Sequence, residues 1–146
     1  MGKDGKMASS HQVVIDLTGY CGTDWPLINI KLNDQLLWSD RVDEHQALTF
    51  DVPLNQQNYL SIEHTEKNND TICDHDGNII RDRYCQLNFI KIDQLLFDID
   101  FFSTYHYAYA CNDGETLITN YFGKDGIFSF NFEWPAWRFW GALHQI

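Results

Sequence analysis

Nowhere does this chain sustain apolar residues at i, i+3, i+4 and i+7, the repeat an amphipathic helix requires. Its apolar residues recur at every second position instead. Phe128, Phe130 and Phe132 alternate with Ser129, Asn131 and Glu133, and Val13, Ile15 and Leu17 alternate with Val14, Asp16 and Thr18. Ile28, Ile30 and Leu32, then Leu48, Phe50 and Val52, then Leu60 and Ile62 repeat the pattern. A period of two sends one set of side chains to one face of a strand. About eight to ten short strands at regular spacing predict an all-β fold, a β-sandwich or jelly roll of antiparallel strands.

The breaks agree with that reading. Gly19 to Pro26 ends the first strand with two glycines and a proline. Asn33-Asp34-Gln35 is a tight turn between Leu27–Leu32 and a return strand opening at Leu36-Leu37-Trp38, which predicts a β-hairpin. Further turns are expected at Asp43-Glu44-His45, Asn55–Asn58, Asp93-Gln94 and Cys111–Gly114, with strands at Tyr59–His64, Leu87–Ile92 and Leu95–Phe97. Phe101 to Ala110 is rich in aromatics without a clean period. Leu117–Phe122 reads as one short strand, and Gly123-Lys124-Asp125-Gly126 as the hairpin loop leading into the Phe128 run, since Asp-Gly tolerates positive φ. With no repeat or internal linker, residues 11–146 are expected to form one domain behind a flexible leader or expression remnant of ten residues.

At 146 residues the chain can bury a core without disulfides. A net charge of −11 excludes electrostatic binding to nucleic acid or an anionic membrane, and leaves cations and neutral ligands. There is no signal-peptide h-region, and no apolar run near the roughly 20 residues that span a bilayer, so a soluble protein is expected. Cys21, Cys73, Cys85 and Cys111 include no CxxC pair, so four reduced thiols are expected rather than a zinc site. A Cys73–Cys85 bridge is the alternative for a protein working outside a cell.

One long polar stretch interrupts the strands. Between Tyr59–His64 and Gln86–Asp93, residues Lys67 to Arg83 hold four aspartates, three asparagines, Lys67, Arg81 and Arg83. Calcium takes six to eight oxygen ligands, and such a loop supplies them where glycine lets the chain turn. Asp70, Asp74, Asp76 and Asp82, with Asn69, are the metal candidates. Asp74-x-Asp76-Gly77-Asn78 matches part of an EF-hand loop, but the glycine falls too early, the twelfth-position Glu is missing and no helix flanks it. The competing expectation is a solvated loop whose aspartates pair with Lys67, Arg81 and Arg83.

The second candidate is Glu133-Trp134-Pro135-Ala136-Trp137-Arg138-Phe139-Trp140. Aromatic faces stack on sugar rings and on Arg, so Trp134, Trp137 and Trp140 could form a platform. The alternative is that this segment closes the open end of the sandwich. Trp25, beside a proline in a glycine-rich turn, joins them as a ligand-binding candidate, whereas Trp38 reads as core.

Enzyme signatures are lacking. The six histidines show no HxH or HExxH spacing, and there is no GxSxG elbow, P-loop or dinucleotide fingerprint. Asp98 or Asp100 with Glu115 or Glu133 could be paired as in a glycosidase, yet nothing fixes the separation such a pair needs. His75 and Cys73 could bind zinc or copper, although a histidine between two aspartates is more often simply exposed.

Several of these segments together resemble calcium-dependent, xylan-binding carbohydrate-binding modules with a jelly-roll fold. They are Val14–Thr18 ending in glycine, Trp25-Pro26, the Asn33-Asp34 turn, Tyr59–His64 running into the Asn/Asp-rich loop, and Arg81-Asp82-Arg83 ahead of Gln86–Asp93. That resemblance covers Val13 to Asp93. It implies calcium as cofactor, held by aspartates among Asp70, Asp74, Asp76 and Asp82 with ligand hydroxyls completing the shell. Over Val13 to Trp140 the chain also resembles small uncharacterised proteins of large marine tailed phages. The shared segments are Lys67-Asn68-Asn69-Asp70, Asp82, Ile90-Lys91-Ile92-Asp93, Asn120-Tyr121-Phe122-Gly123 and an aromatic Pro-x-Trp end. This implies a non-enzymatic binding or structural protein, a virion or host-interaction component whose partner is a glycan or another protein, located in the virion or the host cytoplasm. The alternatives are an intracellular effector binding a host protein and a purely structural assembly protein; an oligomer is compatible with all three.

Overall fold

The structure, a computed structural model, describes residues 10–67, 71–98 and 108–134. It is all-β. Among the described residues thirteen strands run in chain order: β1 (Ser10–Tyr20), β2 (Leu27–Leu32), β3 (Gln35–Arg41), β4 (His45–Pro53), β5 (Gln57–Thr65), β6 (Thr71–Cys73), β7 (Ile79–Asp82), β8 (Tyr84–Ile92), β9 (Leu95–Asp98), β10 (Ala108–Cys111), β11 (Thr116–Leu117), β12 (Tyr121–Phe122) and β13 (Gly126–Glu133). One sheet is ordered β12-β8-β1-β4, with β9 also pairing β8, and the other β11-β10-β13-β5-β2-β3. All pairings are antiparallel. No helix among the described residues is long and apolar enough to cross a membrane.

The period-two residues make the core. Val13, Ile15 and Leu17 of β1 and Leu87, Ile90 and Ile92 of β8 face Ile28, Ile30, Leu60, Ile62, Phe128, Phe130 and Phe132 of the other sheet. Aromatic contacts join the layers, with Phe97 edge-on to Phe130 at 5.6 Å and Tyr109 stacked on Phe122 at 4.5 Å. Each such buried side chain contributes about 1.5–3 kcal/mol of transfer free energy. The Asn33-Asp34 turn has both residues at positive φ, 51° and 68°, the backbone a two-residue hairpin needs to match strand twist.

The strand count exceeds the expected eight to ten for two reasons. The long acidic loop contains a hairpin of its own, β6–β7, in register Thr71↔Asp82 and Ile72↔Arg81. The segment expected as one strand, Leu117–Phe122, splits in two. β11 pairs β10 in one sheet and β12 pairs β8 in the other. Asn120 makes the switch, since its carbonyl accepts from Leu87 N–H at 2.9 Å and its side-chain amide donates to the Leu87 carbonyl at 2.8 Å. In consequence Gly123–Asp125 is not a hairpin loop. It carries the chain from one sheet to the other. The four cysteines are free thiols, so the alternative Cys73–Cys85 bridge is absent: Cys73 is exposed and Cys85 lies in the core.

Register fixes which loops share an end. The ends of β1, β3, β5 and β10 and the starts of β2, β4, β8 and β13 lie together, as the pairs Tyr20↔Tyr84, Leu27↔Thr65, Leu27↔Arg41 and Cys111↔Gly126 require. The acidic insertion, the turn after Cys111 and the Gly123–Asp125 crossover are therefore neighbours.

Candidate functional site

At that end an open cleft of about 480 Å³ is lined by Lys67, Thr71, Asn112, Asp113, Gly123, Lys124 and Asp125. One wall is the base of the acidic insertion, and the other is the pair of turns flanking β10 and β13. The walls are tied together. Lys67 Nζ lies 2.9 Å from Asp82 Oδ1 and donates to the Gly123 carbonyl, and Lys67 N–H donates to Asp125 Oδ1 at 3.0 Å. Thr71 Oγ1 donates to Asp82 at 2.8 Å. Opposite, Asn112 N–H bonds the Asp125 carbonyl at 2.9 Å and the Tyr109 hydroxyl donates to the Lys124 carbonyl.

The crossover can sit so close to β10 because residue 126 is glycine. A Cβ there would lie 2.6 Å from the Ala110 carbonyl oxygen and 2.9 Å from Cys111 Cα. The turn that follows Cys111 is closed by Gly114 at φ +96°, with Cys111 N–H bonded to the Glu115 carbonyl at 2.7 Å. This places Cys111, Asp113 and Glu115 so that their ligand atoms fall within 4.8 Å of one another.

Beneath the cleft His64 is fully buried on β5. Its Nδ1 donates to the Phe122 carbonyl at 3.0 Å, and Nε2 has no hydrogen-bond partner among the described residues. Burial lowers its pKa from 6.5 to about 4, against the opposing pull of Asp125, with Arg83 and Lys67 adding to the decrease. It is neutral at pH 7.

Of the sequence-based metal candidates, the three described aspartates do not share one place. Asp74 is committed to its own turn: its carboxylate accepts the N–H groups of Asp76 and Asn78 at 2.9 Å each, which lowers its pKa. Asp76 is exposed beside His75 at 3.5 Å. Asp82 faces Lys67 and Thr71. Asp70 lies outside the described residues. Among the described residues, Asp74, Asp76 and Asp82 do not form a three-ligand cluster; Cys111, Asp113 and Glu115 do. Of the basic residues expected to pin the insertion, Lys67 pairs with an aspartate as anticipated. Arg81 donates to the Gly22 carbonyl at 3.1 Å, and among the contacts of Arg83 are hydrogen bonds to the carbonyls of Thr65 and Glu66.

The tryptophans divide between the two ends. Trp25 is half-buried at the cleft end, its carbonyl accepting from Arg41 at 2.7 Å. Trp134 is at the far end, where its N–H bonds the Gln56 carbonyl at 3.0 Å, and it meets His11 edge-on at 5.4 Å while packing against the core. Gln56 and Lys67 flank the two ends of β5, whose nine residues separate them by roughly 27 Å. Trp137 and Trp140 lie outside the described residues.

Two groups at the cleft end escape a sequence reading. Tyr20, Tyr84 and Tyr121 stack across β1, β8 and β12, with centroids 4.0 Å and 4.6 Å apart, and Tyr121 donates to the Tyr84 hydroxyl at 2.9 Å. Burial and the neighbouring phenols raise the Tyr84 pKa. The other group is Asn112, Asp113, Glu115 and Lys124, whose only signal in the sequence is turn composition.

The architecture is similar to that of solved structures. One is vCBM60 in complex with galactobiose, which aligns with a TM-score of 0.52 over 83% of this chain and 99% of that one, at 13% identity. The selenomethionine form of vCBM60, described under a circular permutation that links two families of calcium-dependent carbohydrate binding modules, aligns at 0.52 over 82% and 89%, at 9% identity. At such identities the likeness is one of fold. No protein-family model matches the chain, and no curated protein matches it.

Proposed function

We propose that this protein is a non-catalytic glycan-binding module that holds a short neutral saccharide in the cleft between the acidic insertion and the β10–β13 turns. The observation that carries the reading is the lining of that cleft. Ammonium, amide and carboxylate groups stand side by side from Lys67, Lys124, Asn112, Asp113 and Asp125. A sugar hydroxyl both donates and accepts, so a wall mixing donors with acceptors matches it better than a surface of one sign. The fold likeness to a module complexed with galactobiose supports the same reading. No residue is assigned a catalytic role in it, and it needs no calcium. A neutral-oligosaccharide array checks it: wild-type protein is expected to bind a defined subset, and Asn112→Ala to lose at least tenfold in affinity. A blank array with folded protein would overturn it.

The resemblance to phage proteins makes a host-surface or virion glycan the natural target, and mass spectrometry of purified virions tests that setting. A protein partner is the second reading. It rests on Ile79 and Ile80, adjacent on β7 and 65% and 60% exposed at the tip of the insertion. Under this reading Ile79→Ser with Ile80→Ser would abolish a crosslink to the partner while leaving glycan binding intact.

A further inference from the structure

One of the similar structures is described under a link between two families of calcium-dependent carbohydrate binding modules, and this cleft has an acidic rim, yet the space between its carboxylates already holds a positive charge. Lys124 Nζ lies 3.0 Å from Asp113 Oδ2 and 2.5 Å from Glu115 Oε1. The Asp113 carboxylate and the Lys124 backbone are each held from behind. Asp113 Oδ1 accepts Glu115 N–H at 2.9 Å, and the Lys124 backbone is held by the Tyr109 hydroxyl. We propose that the Lys124 ammonium is the resident cation of this cleft, standing where a divalent ion would otherwise be held, so that ligand binding here is independent of calcium.

The donor set supports this. Calcium prefers six to eight hard oxygens, and the cluster offers two carboxylates and a thiol. The Cys111 thiol is a soft donor, which suits calcium less than a carboxylate or carbonyl oxygen does. The two carboxylates raise the Lys124 pKa in turn, through hydrogen bonds to Glu115 first and Asp113 second. A calcium ion entering the same space would have to expel the ammonium and would regain only two strong ligands. The ammonium also has a direct use. It carries three N–H donors, and the two carboxylates engage two of them, which leaves one for a ligand oxygen.

The inference rests on the cleft being the binding surface, but its test is read on the protein alone, with calcium as the only probe. Melting temperature is followed from zero to 10 mM calcium chloride in wild type, Lys124→Met, Lys124→Gln and Lys124→Arg, with magnesium as the control for ionic strength. Wild type and Lys124→Arg are expected not to move. Lys124→Met and Lys124→Gln, with their carboxylates uncompensated, are expected to melt lower than wild type and to recover by about 3 °C or more as calcium rises. A saturable calcium shift in wild type would overturn the inference, and so would neutral variants indifferent to calcium. A blank glycan array would remove the glycan reading and leave this result standing.

Discussion

The Lys67 ammonium lies 2.9 Å from Asp82 Oδ1 and closes the acidic insertion at its base. With side-chain exposures of 12% and 30%, this pair is drier than a typical surface bridge. Lys67→Met is expected to cost about 1–2 kcal/mol, because it also orphans the Gly123 carbonyl. A double-mutant cycle with Asp82→Asn, read by urea unfolding, should give a coupling of about 1 kcal/mol. Strict additivity would show the two residues to be independent.

His64 sets a pH dependence. Its folded pKa of about 4 lies below the unfolded value of 6.5, so the unfolded chain binds the extra proton first. Its contribution is present in full above pH 6.5 and is lost as pH falls from there towards 4, a change of about 3 kcal/mol across the window. His64→Gln should flatten the stability profile over that window relative to wild type. In an NMR titration the His64 ring protons should report a midpoint near 4, and a midpoint near 6.5 would contradict the burial argument.

Gly126 and Gly123 differ in the room around them. Alanine at 126 would meet the backbone of Ala110 and Cys111, whereas nothing lies within 4 Å of a Cβ at 123. Gly126→Ala is therefore expected to cost about 3 kcal/mol or more and Gly123→Ala less than about 0.5. Thermal unfolding of the two variants side by side separates steric demand from a general intolerance of the crossover.

Much of the fold can be read from the sequence, because its period-two residues are local and unambiguous. The runs through Val13, Ile28, Leu60 and Phe128 all became core strands at nearly the expected places. What the sequence hides is non-local. Leu117–Phe122 looks like one strand until Asn120 is seen bonding Leu87, a residue 33 positions away. Gly123–Asp125 looks like a hairpin loop until β12 and β13 are seen in different sheets. The same blindness affected the site. Lys67 and Thr71 could be picked out from the insertion, but their cleft partners Asn112, Asp113 and Lys124 come from turns that composition marks only as turns. Trp134 suggested a stacking platform or a closing segment, and only strand register puts it at the end opposite the insertion.

The aromatic and cleft assignments predict opposite effects on binding. Trp134→Ala should weaken folding and leave the affinity of an array-identified oligosaccharide within twofold of wild type. Asn112→Ala should leave the melting temperature unchanged and weaken binding at least tenfold. Isothermal titration of both variants with the same oligosaccharide checks the pair, and the reverse pattern would move the site to the far end of the sandwich.

The most direct test of the central claim is an NMR titration of the labelled protein with galactobiose, xylobiose and the best array ligand, following backbone amides. Saturable shifts are expected at Lys67, Thr71, Asn112, Asp113, Gly123, Lys124 and Asp125, in the presence of a chelator as in its absence. Shifts confined to the Trp134 end, or none at any of these seven residues with an array-positive ligand, would contradict the account.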